Sequence, residues 1–552
     1  MKFIKFVCFA ILGGILLLAG IAVPVYLRGI AVPVIEYAGQ QGESAQQQIE
    51  FWQQTARPAP ATLLAQALSK EDARPEVDWS ALPLTTRVAG GTSPVFENFL
   101  RQLNLSEDTD PNLPVNQLLT RRSQRNTLLA ILRNSPSPSV LSLLDGREVS
   151  GFLQLLPVQT PGGAALDSAA LLAAMGSLAN AWSRPMERQL VGLIQNARAQ
   201  DLNAISQLEN VYTALLSLGQ RFSWAELEVI LPAVHSPNEL SQIARWFRQH
   251  ADQTPLIFGS ITLYPELAPQ IAYYNEFGAD GFESIHRALP FGTAALRELF
   301  SQQKPIYETP AWLATPDLDI FATLLEVHTS LAASNAEAAK GLKLLYLILG
   351  GAFLCSALLT FTHASSVQRT LKLRTLRNGS VGLVIAVIGW MLLEPALVER
   401  AKASSPPMSI NFAELSPISL TTQATMPNFP VDQITLLILL TFFLIQVVIY
   451  TFCLIKLSEI RRRRESSNIK IKLLENEEVL FDAGLYVGLG GTVSALIFIA
   501  LNIVEASLMA AYASTLFGII FVAILKIFHV RPYRQKLILE NRGGLSVDDL
   551  DS

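Results

Sequence analysis

The residues with the clearest functional spacing lie in the last long apolar run of the chain, residues 483–528, called here the C-terminal hairpin. Small side chains recur there four residues apart, which places each set on one helix face. Small residues let helix backbones approach closely in lipid, where no hydrophobic drive brings helices together. We expect the two faces to pack against each other or against partner helices. The predicted packing residues are Gly484, Gly488, Ala510, Ser514 and Gly518.

Two threonines lie beside these glycines. Thr492 belongs to the element Gly-Leu-Gly-Gly-Thr-Val at residues 488–493, and Thr515 opens the element Thr-Leu-Phe-Gly. At these residues the hairpin resembles the flagellar-stator/TolQ/ExbB proton-channel superfamily, whose last two spans carry similar elements. The resemblance implies a pentamer whose threonine-bearing helices surround single-span partner helices. It also implies that Thr492 and Thr515 line a pore.

Three other polar residues lie in apolar surroundings. Glu394 precedes Pro395, Gln446 is near the middle of an apolar run, and Glu505 lies within the hairpin. Polar groups inside a membrane are costly and often functional. We expect Glu394 and Glu505 at the membrane interface, and Gln446 as the donor of an interhelical hydrogen bond.

Motifs for catalysis or cofactor binding are not found in the sequence. The six histidines never adopt the His-Glu-x-x-His pattern of zinc sites, and no Walker loop, nucleophile elbow or Cys-x-x-Cys pair is present. We therefore expect no metal, no cofactor and no enzymatic activity. The net charge of −4 gives no electrostatic reason to bind nucleic acid.

The apolar runs that position these residues predict an all-α, polytopic membrane protein with about six spans, since a helix needs about 20 apolar residues to cross a bilayer. The final run is more than long enough for two crossings, so it must fold back, and the interruption at residues 502–505 is the predicted turn. The other predicted spans are residues 6–27, 344–363, 381–396 and 434–455.

Lysine and arginine are concentrated in the connections after the second, fourth and sixth spans, including the run Arg461–Arg464. The positive-inside rule therefore places both termini in the cytoplasm and residues 29–340 on the far side, the periplasm of a Gram-negative host. The first apolar run is longer than the core of a signal peptide. An uncleaved anchor is favoured over a cleaved signal.

The large polar region, residues 29–340, predicts an all-α extracytoplasmic domain. Apolar residues recur there at three- and four-residue spacing, and alternating patterns are scarce. The predicted helices include residues 115–133, 202–218 and 238–250. Thr315-Pro316 predicts the start of one long helix that continues into the second span. The cysteines Cys8, Cys355 and Cys453 all lie in apolar runs, so this domain has no disulfide framework.

The predicted organisation has six parts. They are an anchor (1–28), the helical domain (29–340), spans two to four (341–456), a cytoplasmic linker (457–482), the transmembrane hairpin (483–528) and a cytoplasmic tail (529–552). We interpret the chain as a non-enzymatic inner-membrane protein whose periplasmic helical domain binds or scaffolds envelope partners. Its partners would be membrane lipid, other proteins and, as an open possibility, further copies in a homo-oligomer. The alternative hypothesis is a stator-like proton-channel subunit that couples ion flow to a periplasmic load.

Overall fold

The computed structural model of the protein describes residues 2–69, 79–308, 319–361, 371–394, 433–500 and 508–548. In these ranges the chain is almost entirely helical, which confirms the all-α prediction. The chain divides into two compact units. The first, called the apolar unit, comprises Met1–Gly29 and Glu308–Ser552, and the second, called the central unit, is Ile30–Tyr307.

The first helix, α1 (Lys2–Ile21), belongs to the apolar unit, and the central unit follows it as a series of short helices. These are α2 (Val32–Gly39), α3 (Ala45–Gln54), α4 (Pro58–Leu68), α5 (Leu84–Ala89), α6 (Pro94–Arg101), α7 (Val115–Leu118), α8 (Arg122–Arg133), α9 (Pro138–Val149), α10 (Gly151–Leu155), α11 (Pro161–Leu178), α12 (Arg184–Arg198), α13 (Leu202–Gly219), α14 (Trp224–Ile230), α15 (Pro237–Gln249), α16 (Thr254–Leu263), α17 (Leu267–Ala288) and α18 (Thr293–Gln302). Single 3-10 turns cover Trp79–Ala81, Leu231–Ala233, Ala251–Gln253 and Leu289–Phe291.

Two short parallel strands connect the ends of the central unit. Strand β1 (Ile30–Ala31) pairs with β2 (Ile306–Tyr307), and Ile30 lies opposite Ile306. The backbone N–H of Ile30 also donates to the carbonyl of Pro305. The point where the chain enters this unit is therefore hydrogen-bonded to the point where it leaves.

Several helices of the central unit begin at side-chain caps. Ser223 forms a capping box at the start of α14, and the hydroxyl of Ser236 accepts a hydrogen bond from the N–H of Glu239 in α15. Such caps satisfy N–H groups that have no partner within the helix. The predicted helix 202–218 matches α13, and 238–250 matches α15 within one residue at either end.

The predicted helix 115–133 is wrong as one element, because the structure divides it into α7 and α8. The guanidinium of Arg125 donates to the carbonyls of Leu119 and Thr120, at 3.0 and 2.7 Å. These carbonyls lie at the break, where a continuous helix would have bonded them to its own N–H groups. A side chain inside α8 thus replaces the missing backbone bonds.

Aromatic rings fill much of the core of the central unit. The ring of Phe96 stacks on Trp224 with centroids 5.0 Å apart, and Phe222 meets the edge of Phe247 at 4.8 Å. All four side chains are buried. Such pairs add about 0.5–1.5 kcal/mol each beyond the burial of their area. Packing of this kind stabilises a unit whose sequence contains no cysteine.

The carboxyl group of Glu226 is buried in this core. Glu226 accepts hydrogen bonds from the backbone N–H and the hydroxyl of Ser223, at 2.8 and 3.0 Å. Burial is the largest influence on this group and raises the pKa of Glu226 from 4.5 to about 7, against the hydrogen bonds from Ser223 and Asn112. The folded unit therefore holds a proton on Glu226 at a pH where the unfolded chain has released it.

We predict that the central unit loses stability as the pH rises from about 4.5 to about 7, because the folded state then binds more protons than the unfolded state. At about 1.4 kcal/mol for each pH unit, the loss of unfolding free energy attributable to Glu226 is about 3 kcal/mol. Glu226→Gln keeps an acceptor for the N–H of Ser223 and should remove most of this dependence. Urea unfolding of residues 30–307 across this range measures the effect. Glu276→Gln, at an exposed carboxylate, is the control. An unchanged pH profile in Glu226→Gln would contradict the assignment.

The remaining helices belong to the apolar unit. They are α19 (Asp319–Ser334), α20 (Ala336–Phe361), α21 (Leu371–Leu392), α22 (Gln433–Arg462), α23 (Ser467–Asn476), α24 (Glu478–Phe481), α25 (Ala483–Ala500), α26 (Leu508–Leu525) and α27 (Arg531–Asp548), with a π turn at Lys526–Val530. Helix α1 packs along α20, α20 packs along α21, and α22 packs against α26.

Within the described ranges, four helical segments are long and apolar enough to cross a membrane. They are Ile4–Ile21, Ala336–Ala357, Leu439–Arg462 and Tyr512–Asn541. Two shorter apolar segments are Asn378–Trp390 and Ala483–Ile497. These six segments fall on the six predicted spans, and four of them meet the length of a span.

The predicted continuous helix from Thr315-Pro316 into the second span is interrupted. Its start lies outside the described residues, and α19 ends at Ser334, two residues before α20 begins. The side-chain oxygen of Asn335 accepts a hydrogen bond from the N–H of Ala338 at 3.0 Å. Asparagine is a preferred N-cap, so it starts a new helix here without a proline or glycine.

Candidate functional site

The candidate site is built on the contact between α25 and α26, which run antiparallel through the C-terminal hairpin. A Cβ atom added at Gly488 would lie 2.8 Å from the carbonyl oxygen of Ser514, and one at Gly518 would lie 2.6 Å from that of Gly484. Carbon atoms do not approach carbonyl oxygens so closely, and a backbone carbonyl cannot move aside easily. Glycine at these positions is what allows the two backbones to approach.

Four of the five predicted packing residues lie in this contact. Gly484, Gly488 and Gly518 face the opposite helix, and Ser514 is buried between them. Ala510 belongs to α26, but its side chain is outside the described part of the structure. The predicted turn at residues 502–505, including Glu505, is also outside the described residues.

Gln446 connects α22 to the hairpin. Its Nε2 donates to the carbonyl of Gly484 at 3.0 Å, and the side chain is buried. This is the interhelical hydrogen bond predicted from the sequence. Its Oε1 is also buried and accepts no hydrogen bond from a described residue. Glycine at position 484 leaves the carbonyl open to a side chain from another helix.

The two threonines of the hairpin lie side by side. The hydroxyls of Thr492 and Thr515 are hydrogen-bonded to each other, and Thr492 also donates to the carbonyl of Gly488 at 3.1 Å. Thr492 is 6% exposed within a single chain. Their hydroxyls therefore have partners inside the contact between α25 and α26. A role in lining a pore stays a prediction.

A second polar site of the apolar unit lies where the chain leaves α1. The Nζ of Lys343 donates to the carbonyls of Val23 and Val25, at 3.2 and 2.7 Å. The carboxylate of Glu394 accepts from the N–H groups of Leu27 and Arg28, both at 2.9 Å. We call this arrangement the ionic junction.

Both charged side chains of the ionic junction are 1% exposed. The rings of Tyr26 and Trp390 also lie near the ammonium group, with centroids 5.4 and 5.9 Å from Nζ. The structure buries Glu394 against backbone N–H groups, and its location at the membrane interface stays a prediction. Lys343 was not singled out from the sequence. Its position directly before the second apolar run is the sequence feature that could have identified it.

The central unit presents an open polar groove of about 590 Å3 between α12, α13 and α15. Its lining consists of carboxamides, hydroxyls, a few small apolar residues and two arginines, with no carboxylate and no aromatic ring among the described residues that form it. The lining includes Gln189, Asn210, Thr213, Arg245 and Arg248. Such a surface can donate and accept many hydrogen bonds while it carries positive charge.

Metal chemistry receives no support from the geometry, since the described residues contain no group of three or more His, Cys, Asp or Glu side chains that could hold a metal ion. Comparison with protein-family models, curated proteins and solved structures gives no significant match to this chain. Its function must therefore be inferred from the arrangement of its own residues.

We predict that Gly488→Leu and Gly518→Leu each lower the thermal stability of the purified protein strongly, because the new side chains would overlap a backbone carbonyl and overpacking typically costs about 1–3 kcal/mol or more. Gly490→Leu is the matched control. A Cβ at Gly490, on the exposed face of α25, meets no atom within 4 Å. Equal melting temperatures for Gly488→Leu and Gly490→Leu would show that the close contact does not contribute to stability.

Proposed function

We propose that the chain is a multi-pass inner-membrane protein that presents the central unit to the periplasm and uses the polar groove to bind an envelope partner. Both termini would be cytoplasmic. The observation that carries the proposal is the polar groove itself, an open, hydrogen-bonding surface on a unit that has no transmembrane segment among its described helices. The apolar unit supplies the membrane anchor.

Support for the anchor comes from large apolar side chains that the protein leaves exposed. On α1 these include Ile4, Ile11 and Ile15, and on α25 they include Leu489 and Ile497. Exposure of such a surface to water is unfavourable in free energy, whereas contact with lipid hydrocarbon is not. The exposed side chains of α25 lie on faces other than the glycine face, as expected for a helix with lipid on one side and protein on the other.

Six crossings also require the two shorter apolar helices to span the membrane. Helix α25 has 18 residues and extends about 27 Å at 1.5 Å per residue, close to the roughly 30 Å of hydrocarbon. Helix α21 has 22 residues, but its apolar segment, Asn378–Trp390, extends only about 20 Å, so a crossing there needs its basic first turns at the membrane surface. The antiparallel packing of α25 on α26 supports two crossings within the hairpin.

Support for a binding role comes from the chemistry of the polar groove. Carboxamides such as Gln189 and Asn210 can pair with a peptide backbone, which also presents one donor and one acceptor per residue. Arg245 and Arg248 add positive charge without a carboxylate in the lining. The groove therefore suits a polypeptide segment that carries acidic side chains.

We predict that both termini are cytoplasmic and that the central unit lies on the other side of the membrane. Truncated fusions to reporters that are active only in the cytoplasm test this topology. Fusions after Ser466, in the connection between α22 and α23, and after Ser552 should be active, because the flanking arginines and lysines hold these segments inside. A fusion after Ala199, between α12 and α13, should be silent. Activity at Ala199 would overturn the proposed location of the central unit.

We predict that a photo-reactive amino acid at Thr213, in the polar groove, forms a reproducible cross-link to an envelope protein in living cells. The same amino acid at Gln195, an exposed residue of α12 outside the groove, is the control. Arg245→Glu should reduce the Thr213 product because it replaces an attractive charge by a repulsive one. Equal products at Thr213 and Gln195, or none at Thr213, would reject the groove as the binding surface.

The stator-like proton channel is the second candidate function, favoured by the adjacent hydroxyls of Thr492 and Thr515. In such a channel these hydroxyls would have to reach a pore between copies of the chain. Particle symmetry separates the two functions, since the resemblance implies a pentamer around partner helices. A monomer or dimer in mild detergent would remove the channel hypothesis.

A further inference from the structure

A second cavity of the central unit has a different chemistry from the polar groove. It has a volume of about 780 Å3 and lies between the end of α7, the start of α8, the start of α11 and the end of α13. Val158, Ala165 and Leu216 contribute apolar surface, while Arg122 and Arg125 contribute positive charge. We call it the arginine cavity.

Arg125 is the fixed positive group of this cavity, and it is only 4% exposed. Its Nε donates to Asp167 at 2.9 Å, and its Nη1 donates to the carbonyls of Leu119 and Thr120. Nη2 forms no hydrogen bond with the described residues, and it is not fully buried. It is therefore the nitrogen of this guanidinium that remains for a ligand in the cavity.

The charge on Arg125 is not fully neutralised by its partner. Asp167 is also paired with Arg147, so two guanidinium groups share one carboxylate. Arg122 adds a further positive charge, and it has no ion pair among the described residues. The lining of the cavity contains no carboxylate, and residues 111–144 contain no aspartate or glutamate at all. The cavity consequently has an excess of positive charge.

The remaining polar groups are suited to an anion. Thr160 caps α11, an 18-residue helix whose N-terminal end lies at the cavity and carries partial positive charge. Gln117 and Gln220, which also line the cavity, can donate further hydrogen bonds. The apolar residues between these groups would exclude water from the rest of a ligand.

We propose that the arginine cavity binds a small organic anion with an apolar body, in which a phosphate or carboxylate group meets Arg122 and Arg125. Its volume is within the range of about 300–1,000 Å3 that is typical of small-molecule sites. An inorganic anion alone would leave the apolar surface of Val158, Ala165 and Leu216 unused. A neutral apolar molecule would leave the arginines without a partner.

The experiment uses the full-length protein in nanodiscs of zwitterionic lipid and follows para-fluorophenyl phosphate by fluorine NMR. The ester should show saturable line broadening. Inorganic phosphate should displace it only at concentrations about tenfold higher or more, because it has no ring to bury against the apolar surface. Para-fluorobenzyl alcohol, the neutral match, should bind more weakly than the ester by a similar factor.

Two variants locate the binding. Arg122→Gln should weaken binding of the ester by about tenfold, because a charge-assisted hydrogen bond to the phosphate is lost. Arg133→Gln removes the same charge from the exposed end of the same helix, outside the cavity, and should change the affinity by less than about twofold. Ala165→Trp should abolish binding by filling the cavity, with its fold verified by circular dichroism.

Three results would overturn the proposal. They are the absence of saturable binding, equal effects of Arg122→Gln and Arg133→Gln, and equal affinity for the ester and the neutral alcohol. Equal affinity for inorganic phosphate and the ester would overturn the assignment of an apolar body. None of these outcomes depends on a partner in the polar groove.

Discussion

The arrangement of the apolar unit depends on satisfying backbone groups where α1 ends. Helix α1 ends at Ile21, and the carbonyls and N–H groups of residues 23–28 have no helical partners. In a membrane each unsatisfied group of this kind costs several kcal/mol, since water is absent. Lys343 and Glu394 meet these groups from α20 and from the end of α21. Two charged side chains thereby tie three segments of the chain together.

The charges of the ionic junction also depend on each other. A lone ammonium or carboxylate with 1% exposure would be strongly unfavourable, and the loss of one partner leaves the other uncompensated. The Glu394 carboxylate interacts electrostatically with Lys343 while each group bonds the backbone directly. Hydrophobic packing alone could hold α1 against α20, but it could not provide hydrogen-bond partners for the backbone groups that follow α1.

Patterns with a regular period were predictable from the sequence. Helices α13 and α15, the antiparallel hairpin and the hydrogen bond of Gln446 all follow from apolar spacing, small-residue spacing or the cost of a polar group in lipid. The breaks were not predictable in this way. The sequence around residues 119–121 has no proline or glycine, and at the break Arg125 of α8 bonds the carbonyls of Leu119 and Thr120.

The candidate sites show the same division. The glycines of the hairpin could be recognised because their function is local spacing on one helix. Lys343 and Glu394 are separated by 50 residues, and their partners follow α1 at the other end of the chain. The polar groove and the arginine cavity each combine residues from several helices. No sequence window contains either site, and without related sequences nothing in one chain marks their members.

The choice of arginine at position 125 follows from geometry. A guanidinium has five N–H donors in a fixed plane, and at Arg125 these are divided among a carboxylate, two carbonyls and the cavity. A lysine carries three donors on one atom and could not reach groups on opposite sides of its side chain.

Residues 30–307 contain lysine only at positions 70 and 304, and their other permanently charged basic side chains are arginines. The residue that closes the break between α7 and α8 is therefore also able to present a charged nitrogen to the cavity. The fold and the proposed binding both depend on Arg125, so a substitution there would affect both. A substitution of the exposed Arg122 tests binding without removing the hydrogen bonds that Arg125 forms within the fold.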